Sequence, residues 1–135
     1  MNYLAHIFLS GKRRRVQIGN FIGDFVKGSK LKYYPDEIRK GIVLHRLIDE
    51  FTDNHVVVKQ TIDFVRPAFG RYSGIIVDMY FDYFLAKNFR FYSKTSLNSF
   101  AFWFYITAIL NYNHLPVKVK RFIFHLIFSN RHKEL

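Results

Sequence analysis

The sequence predicts an all-α protein, and three observations carry that expectation. Apolar residues recur at intervals of three and four along most of the chain, and sustained alternation of period two is nearly absent. Half of the 135 residues are apolar and 19% are aromatic, enough to bury the core of one domain and far from the composition of a disordered chain. The punctuation is helical as well: Pro35 and Pro116 stand where helices begin, and Pro67 where one ends or bends. The expected architecture is a single-domain helical bundle, residues 1–135, of about seven helices.

A short first helix is expected through NYLAHIFLS, followed by the basic turn GKRRR at residues 11–15. The second covers VQIGNFIGDFVKG. Pro35 opens the third with Asp36 and Glu37, since proline suits the first turn and carboxylates favour the positive end of the helix dipole; it runs to Phe51. Thr52, Asp53 and Asn54 then cap a fourth helix, HVVVKQTIDFVRPAF. RYSGIIVDMYFDYFLAKNF is the fifth, SLNSFAFWFYITAIL the sixth, and VKVKRFIFHLIF, after Pro116, the seventh. No internal repeat or low-complexity segment interrupts them.

Composition excludes several chemistries. Without cysteine there are no disulfides, zinc–thiolate sites or thiol nucleophiles, so any metal would be held by imidazole, carboxylate and water, which suits Mn, Fe, Mg or Zn. The opening MNYLAHIFLS is too short and uncharged for a secretory signal, and FAFWFYITAIL falls short of the roughly 20 residues that span a bilayer. A soluble cytoplasmic protein with no membrane span is therefore expected. There is no nucleophile elbow and no glycine-rich phosphate loop, and HRLID is not the HExxH of zinc proteases.

The net charge of +11 is unevenly placed: nine of the ten acids lie between Asp24 and Asp82, whereas beyond residue 82 only Glu134 opposes eight Lys and Arg. Such a surface attracts polyanions, whether nucleic acid, anionic lipid or an acidic protein, although part of it is accounted for by an ordinary solvated face. Nucleic acid is disfavoured because no recognised module is present and the aromatics follow core periodicity.

The informative residues are polar ones in apolar helices. In GIVLHRLIDEFTDNH, His45, Asp49 and Asp53 follow at intervals of four, each about 40° round the helix from the last. Asp78 and Asp82 share a face of GIIVDMYFDYFLA, Asp24 lies in GNFIGDFVKG, and His6 in YLAHIFL. A carboxylate taken into such surroundings is paired, hydrogen-bonded or metal-bound, because an isolated buried charge is costly. Singly, each has a plain structural explanation: an ion pair for His45 and Asp49, a cap for Asp53, and pairing with Arg46, Arg66 or Arg71 for Asp78 and Asp82. His55, His114, His125 and His132 look ordinary. Jointly, metal-capable side chains on four apolar helices form the pattern by which a bundle assembles an internal metal site.

The segments MNYLAHIFLSG, IGNFIGDFVKG, YPDEIRKGIVLHRLIDEFTDNH and YSGIIVDMYFDYFLAKNF, in this order, resemble the acyl carrier protein phosphodiesterase family, a divergent relative of the HD-domain metal-dependent phosphohydrolases. The resemblance runs to about residue 130. It implies an HD-like helical domain and hydrolysis of the phosphodiester joining 4′-phosphopantetheine to a serine of holo acyl carrier protein, with a divalent metal, first of all Mn2+. It also implies a ligand set of Asp24, His45, Asp49 and one or both of Asp78 and Asp82. His6, as a further ligand or proton-transfer group, joins Arg46, as a phosphate contact, and Asp53 of the FTD block among the catalytic candidates. A strongly acidic carrier protein would suit the basic surface, with GKRRR and Lys27, Lys30 and Lys32 as docking residues.

The sequence departs from the family pattern at Tyr83, where histidine is common, and at Leu47 and Val56, in place of arginine and proline. The family also continues with further helices beyond the end of this chain, so apolar surface would be exposed or covered by self-association. The second functional class is accordingly a catalytically weak or inactive protein that binds an acidic partner, carrier protein or nucleic acid.

Overall fold

A computed structural model describes the backbone of residues 2–133 and the side chains as far as residue 125; the side chain of His132 lies outside the described residues. Among them are seven α-helices and no strand: α1 (Tyr3–Leu9), α2 (Arg14–Ile22), α3 (Asp36–Asn54), α4 (Val56–Phe69), α5 (Ser73–Lys87), α6 (Leu97–Leu110) and α7 (Val117–Lys133). The expected all-α class and helix number are both found. No helix among the described residues is long and apolar enough to cross a membrane.

The core is built where α2 crosses α3. Ile18, Phe21 and Ile22 of α2 pack on Ile38 and Ile42 of α3, and Phe104, Ala108, Val119 and Ile123 of α6 and α7 close over them. Two glycines set the distance of that crossing. A Cβ on Gly41 would lie 2.7 Å from the Gly19 Cα and 2.8 Å from the Asn20 nitrogen, so the two backbones touch with no side chain between them.

The short α1 is tied down at both ends. Its first N–H is accepted by the Asn2 side chain at 3.0 Å. The next two, of Leu4 and Ala5, are accepted by the two oxygens of Asp82 on α5 at 2.9 and 3.0 Å. A carboxylate from a distant helix thus satisfies donors that a helix N-terminus leaves without internal partners. Asp82→Ala is expected to lower stability by about 1–2 kcal/mol, with Asp82→Asn losing less. Thermal denaturation checks it; an unchanged melting temperature in the alanine variant would refute the clamp.

Two boundaries differ from the sequence expectation, each for a local reason. The second helix ends at Ile22, and Asp24 sits on a 3-10 turn, Gly23–Phe25. Glycine is a poor helix former, and Gly23 is also where the chain passes closest to His45. The expected cap Thr52–Asn54 is instead the last turn of α3. There the Thr52 hydroxyl and the Asn54 amide donate back to the Ile48 and Glu50 carbonyls, and His55, extended, caps α4 by accepting from the Val57 N–H at 3.1 Å. The end of α4 is as expected: Pro67 lies within it, and it ends at Phe69, before Gly70 at φ 55°. The aromatics are a larger surprise: Phe21, Phe89 and Phe104 are buried, but Phe51, Phe64, Tyr83, Phe91 and Trp103 are among many left exposed.

Candidate metal centre

Ile38, Gly41, Ile42, His45 and Asp49 form one stripe of α3, at helical spacings of three and four. The glycine crossing presses this stripe against α2, bringing Asn20 onto the end of the His45 ring. His45 Nδ1 donates to the Asn20 backbone carbonyl at 2.7 Å. From α1, His6 Nδ1 reaches the Asn20 side-chain oxygen, also at 2.7 Å. The two imidazoles stack with centroids 3.8 Å apart and planes 14° apart. All three residues are buried.

This arrangement fixes the protons. A carbonyl only accepts, so His45 Nδ1 carries hydrogen. The Ser10 hydroxyl donates to the His6 carbonyl at 2.8 Å, so it must accept from the Asn20 amide nitrogen, also at 2.8 Å. Hence the Asn20 oxygen faces His6, and His6 Nδ1 carries hydrogen too. Both Nε2 atoms point the other way, onto carboxylates: His6 Nε2 is 3.0 Å from Asp49 Oδ1, and His45 Nε2 is 3.0 Å from Asp24 Oδ1 and 3.2 Å from Asp49 Oδ2. A neutral imidazole in this tautomer opposes lone pair to lone pair.

A proton on Nε2 can resolve that conflict for one ring. For His45, burial alone would lower the pKa, but the hydrogen bond it donates to Asp24, the Asn20 carbonyl and the charges of Asp24 and Asp49 outweigh it, and the net direction is upward. In turn the His45 hydrogen bond holds the Asp24 carboxyl below its ordinary value. His6 goes the other way: burial, and then the neighbouring His45, push it down. Two stacked imidazolium rings would repel, so His6 keeps a bare Nε2 against Asp49. A cation bound between the Nε2 atoms and the carboxylates satisfies both rings at once. Ligand atoms of His6, His45 and Asp49 lie within 4.8 Å of one another, a group able to hold a metal ion.

The other expected residues are placed as follows. Asp24, Arg46 and Asp49 line an open cavity of about 280 Å3 with His45, Lys27 and the Gly23–Gly28 turn. Arg46 donates to the Val26 and Gly28 carbonyls at 3.1 and 2.9 Å, pinning that turn while its guanidinium stays at the cavity rim. Asp53 is exposed one turn beyond Asp49. Asp78 is raised, first by burial and also by the charges of Asp53 and Asp49, against the lowering effect of the chain's amino terminus. Asp82 is turned to α1, as described above, and Tyr83 is exposed. Of the basic turn, Arg13 pairs with Glu37 at 2.9 Å and Arg14 lies over the Trp103 ring at 5.4 Å.

Two participants were not anticipated. Tyr3, whose hydroxyl is raised by burial and then by the charge of Asp24, borders the site from α1. Asn20 holds both histidines; its one sequence signal is an amide between glycine and phenylalanine in an apolar helix. Asn20→Ala is expected to cost about 1–3 kcal/mol of stability by leaving the buried His6 Nδ1–H without its acceptor. It should also weaken divalent-metal affinity by about 10–100-fold, because His6 loses the group that orients it while His45 keeps the backbone carbonyl. Calorimetric titration with Mn2+ measures this, and wild-type affinity in a folded variant would remove Asn20 from its orienting role.

Residues 1–134 match the family model described as acyl carrier protein phosphodiesterase. The protein of that name from Enterobacter sp. (strain 638) is 38% identical over 88 residues, which is 65% of this chain and 46% of the relative. With the same coverage, those of Pectobacterium atrosepticum and Salmonella agona are 40% and 35% identical. The match thus covers about half the length of these relatives. No solved structure gives a significant match. Taken over its whole length, the chain belongs to the acyl carrier protein phosphodiesterase family.

Proposed function

We propose that this protein is a metal-dependent phosphodiesterase that releases 4′-phosphopantetheine from holo acyl carrier protein in the cytoplasm, leaving apo carrier protein. The observation that carries the reading is the pair of stacked imidazoles whose Nε2 atoms both face carboxylates, in a chain of this family. His6, His45 and Asp49 would hold the ion, Mn2+ in the first instance, with Asp24 and Asp78 at its edge. When bound, the metal supplies Lewis-acid stabilisation of phosphoryl charge and a lowered pKa for water.

The remaining steps belong to the chain. Arg46, fixed at the rim by its two carbonyl contacts, meets a phosphoryl oxygen. Water adds to phosphorus, the bond from phosphorus to the serine oxygen breaks, and that oxygen takes up a proton. Asp53 and Asp78, whose charges act on each other, would carry protons between the site and solvent. Exposed Lys27, Lys30 and Lys32 follow directly on Asp24 and give an acidic carrier protein a complementary rim, which makes association salt-sensitive. Asp82, committed to α1, acts by holding His6 in place.

The test is mass spectrometry of holo acyl carrier protein incubated with the protein and Mn2+, beside an EDTA control. Loss of the prosthetic-group mass only with metal supports the reading. A carrier protein that stays holo while the folded protein is metal-loaded leaves the binding-only class in its place.

The site also predicts opposite pH trends with and without metal. The metal must displace the proton on His45, so Mn2+ affinity should fall by about tenfold per pH unit below the raised His45 pKa. In the metal-free protein the charged His45–Asp24 pair contributes stability below histidine's ordinary pKa. That contribution is lost as pH rises through the raised His45 value. Titration calorimetry and thermal melts across the neutral range check both signs.

A further inference from the structure

α5 is apolar around almost its whole circumference. Val77 is buried and Asp82 faces α1, but Ile75, Met79, Tyr80, Tyr83 and Phe84 look outward and are half-exposed or more. Met79, Tyr80 and Tyr83 form with Ile76 and Phe69 a groove of about 420 Å3 beside α4. α4 itself has no buried residue, and its Phe64 is 85% exposed. A helix that is hydrophobic all round is built to be covered.

Two observations identify what covers it. The first is area: the large apolar side chains exposed on α4 and α5 present together about 800 Å2, the amount each partner of a standard interface buries. The second is charge. Residues 56–87 carry four cations (Lys59, Arg66, Arg71, Lys87) against three carboxylates (Asp63, Asp78, Asp82), a net +1 within a chain of +11. The exposed aromatics of α6 and α7 lie in a stretch, residues 88–125, with five cations and no acid. Two copies of a strongly basic protein repel through the second surface but not through the first.

We infer that the outer face of the α4–α5 hairpin is the interface of a two-fold homodimer, each copy presenting the same apolar surface. Met79 and Tyr83 lie at its centre. None of these exposed residues of α4 and α5 lines the cavity at Asp24 and Asp49, so the interface does not use the residues that border the metal centre. This inference is independent of the proposed activity.

Sedimentation velocity and light scattering on the full chain, across a wide concentration range, should give twice the 16.2 kDa chain mass. Met79→Glu and Tyr83→Glu should weaken the dimer by about 100-fold or more with an unchanged helical spectrum. Trp103→Glu on α6 should leave it intact. A monomer at all concentrations, open-ended aggregates, or a dimer untouched by both glutamates overturns the inference. Because the chain has no cysteine, Tyr83→Cys offers an independent reading. It should be cross-linked between copies by a short bismaleimide, while Tyr33→Cys, exposed at the end of the 3-10 segment Gly28–Tyr33 and outside α4 and α5, should not; absence of the Tyr83 cross-link overturns the inference even if the charged variants fail to fold.

Discussion

His45→Ala should abolish hydrolysis of holo acyl carrier protein, by about 10³-fold or more, and should leave the purified protein without bound divalent metal. The argument is geometric. His45 Nε2 contacts both Asp24 and Asp49, and its ring stacks on His6, so its removal takes a ligand, the partner of a second carboxylate and the support of a third residue together. Asp24→Asn separates these roles. It keeps the shape of the pair but removes the charge that raises His45, so metal should still bind, more weakly and with less sensitivity to acid. Metal content by elemental analysis, read beside activity, decides the matter: if His45→Ala retains its metal, the ion is held elsewhere and the proposed centre is wrong.

Much of this centre was legible in the sequence, and what was missed shares a cause. The stripe Ile38, Gly41, Ile42, His45, Asp49 follows from helical spacing alone, and so does its placement on a buried face. His6 and Asp24 were recognisable as polar residues in apolar segments. Asn20 was not, because its role depends on a carbonyl and an amide meeting two rings from different helices, which no spacing encodes. Asp78 and Asp82, one turn apart, suggested a shared cation; the fold instead separates them, giving Asp82 to the N–H groups of α1 and leaving Asp78 beside Asp49 and Asp53. Helix ends differ for two reasons: at Gly23 a tertiary contact under the His45 ring decides, and at His55 a local one, where the ring replaces the expected Thr52–Asn54 cap. The exposed aromatics of α5 and α6 mislead for a further reason: periodicity reports how apolar a face is, not whether a neighbour covers it.

Gly41→Ala should be, with its counterpart Gly19→Ala, among the most damaging single-methyl changes in the protein, costing more than about 4 kcal/mol and leaving little folded chain. The added Cβ would fall 2.7 Å from the Gly19 Cα and 2.8 Å from the Asn20 nitrogen, and would also strike the Val16 carbonyl. These neighbours are backbone in the middle of a helix, so no side chain can rotate away; α2 itself would have to move. Moving α2 displaces Asn20, and with it both imidazoles, so whatever fraction stays folded should also lose metal affinity. Gly74→Ala is the matched control. It lies in α5 with nothing within 4 Å of its built Cβ, and there the better helix propensity of alanine should stabilise by about 0.5–1 kcal/mol. Circular dichroism and thermal melts of the two variants therefore move in opposite directions if the crossing is as close as described. A folded Gly41→Ala protein with a wild-type melting temperature would show that the α2–α3 contact, and the histidine geometry built on it, is looser than this.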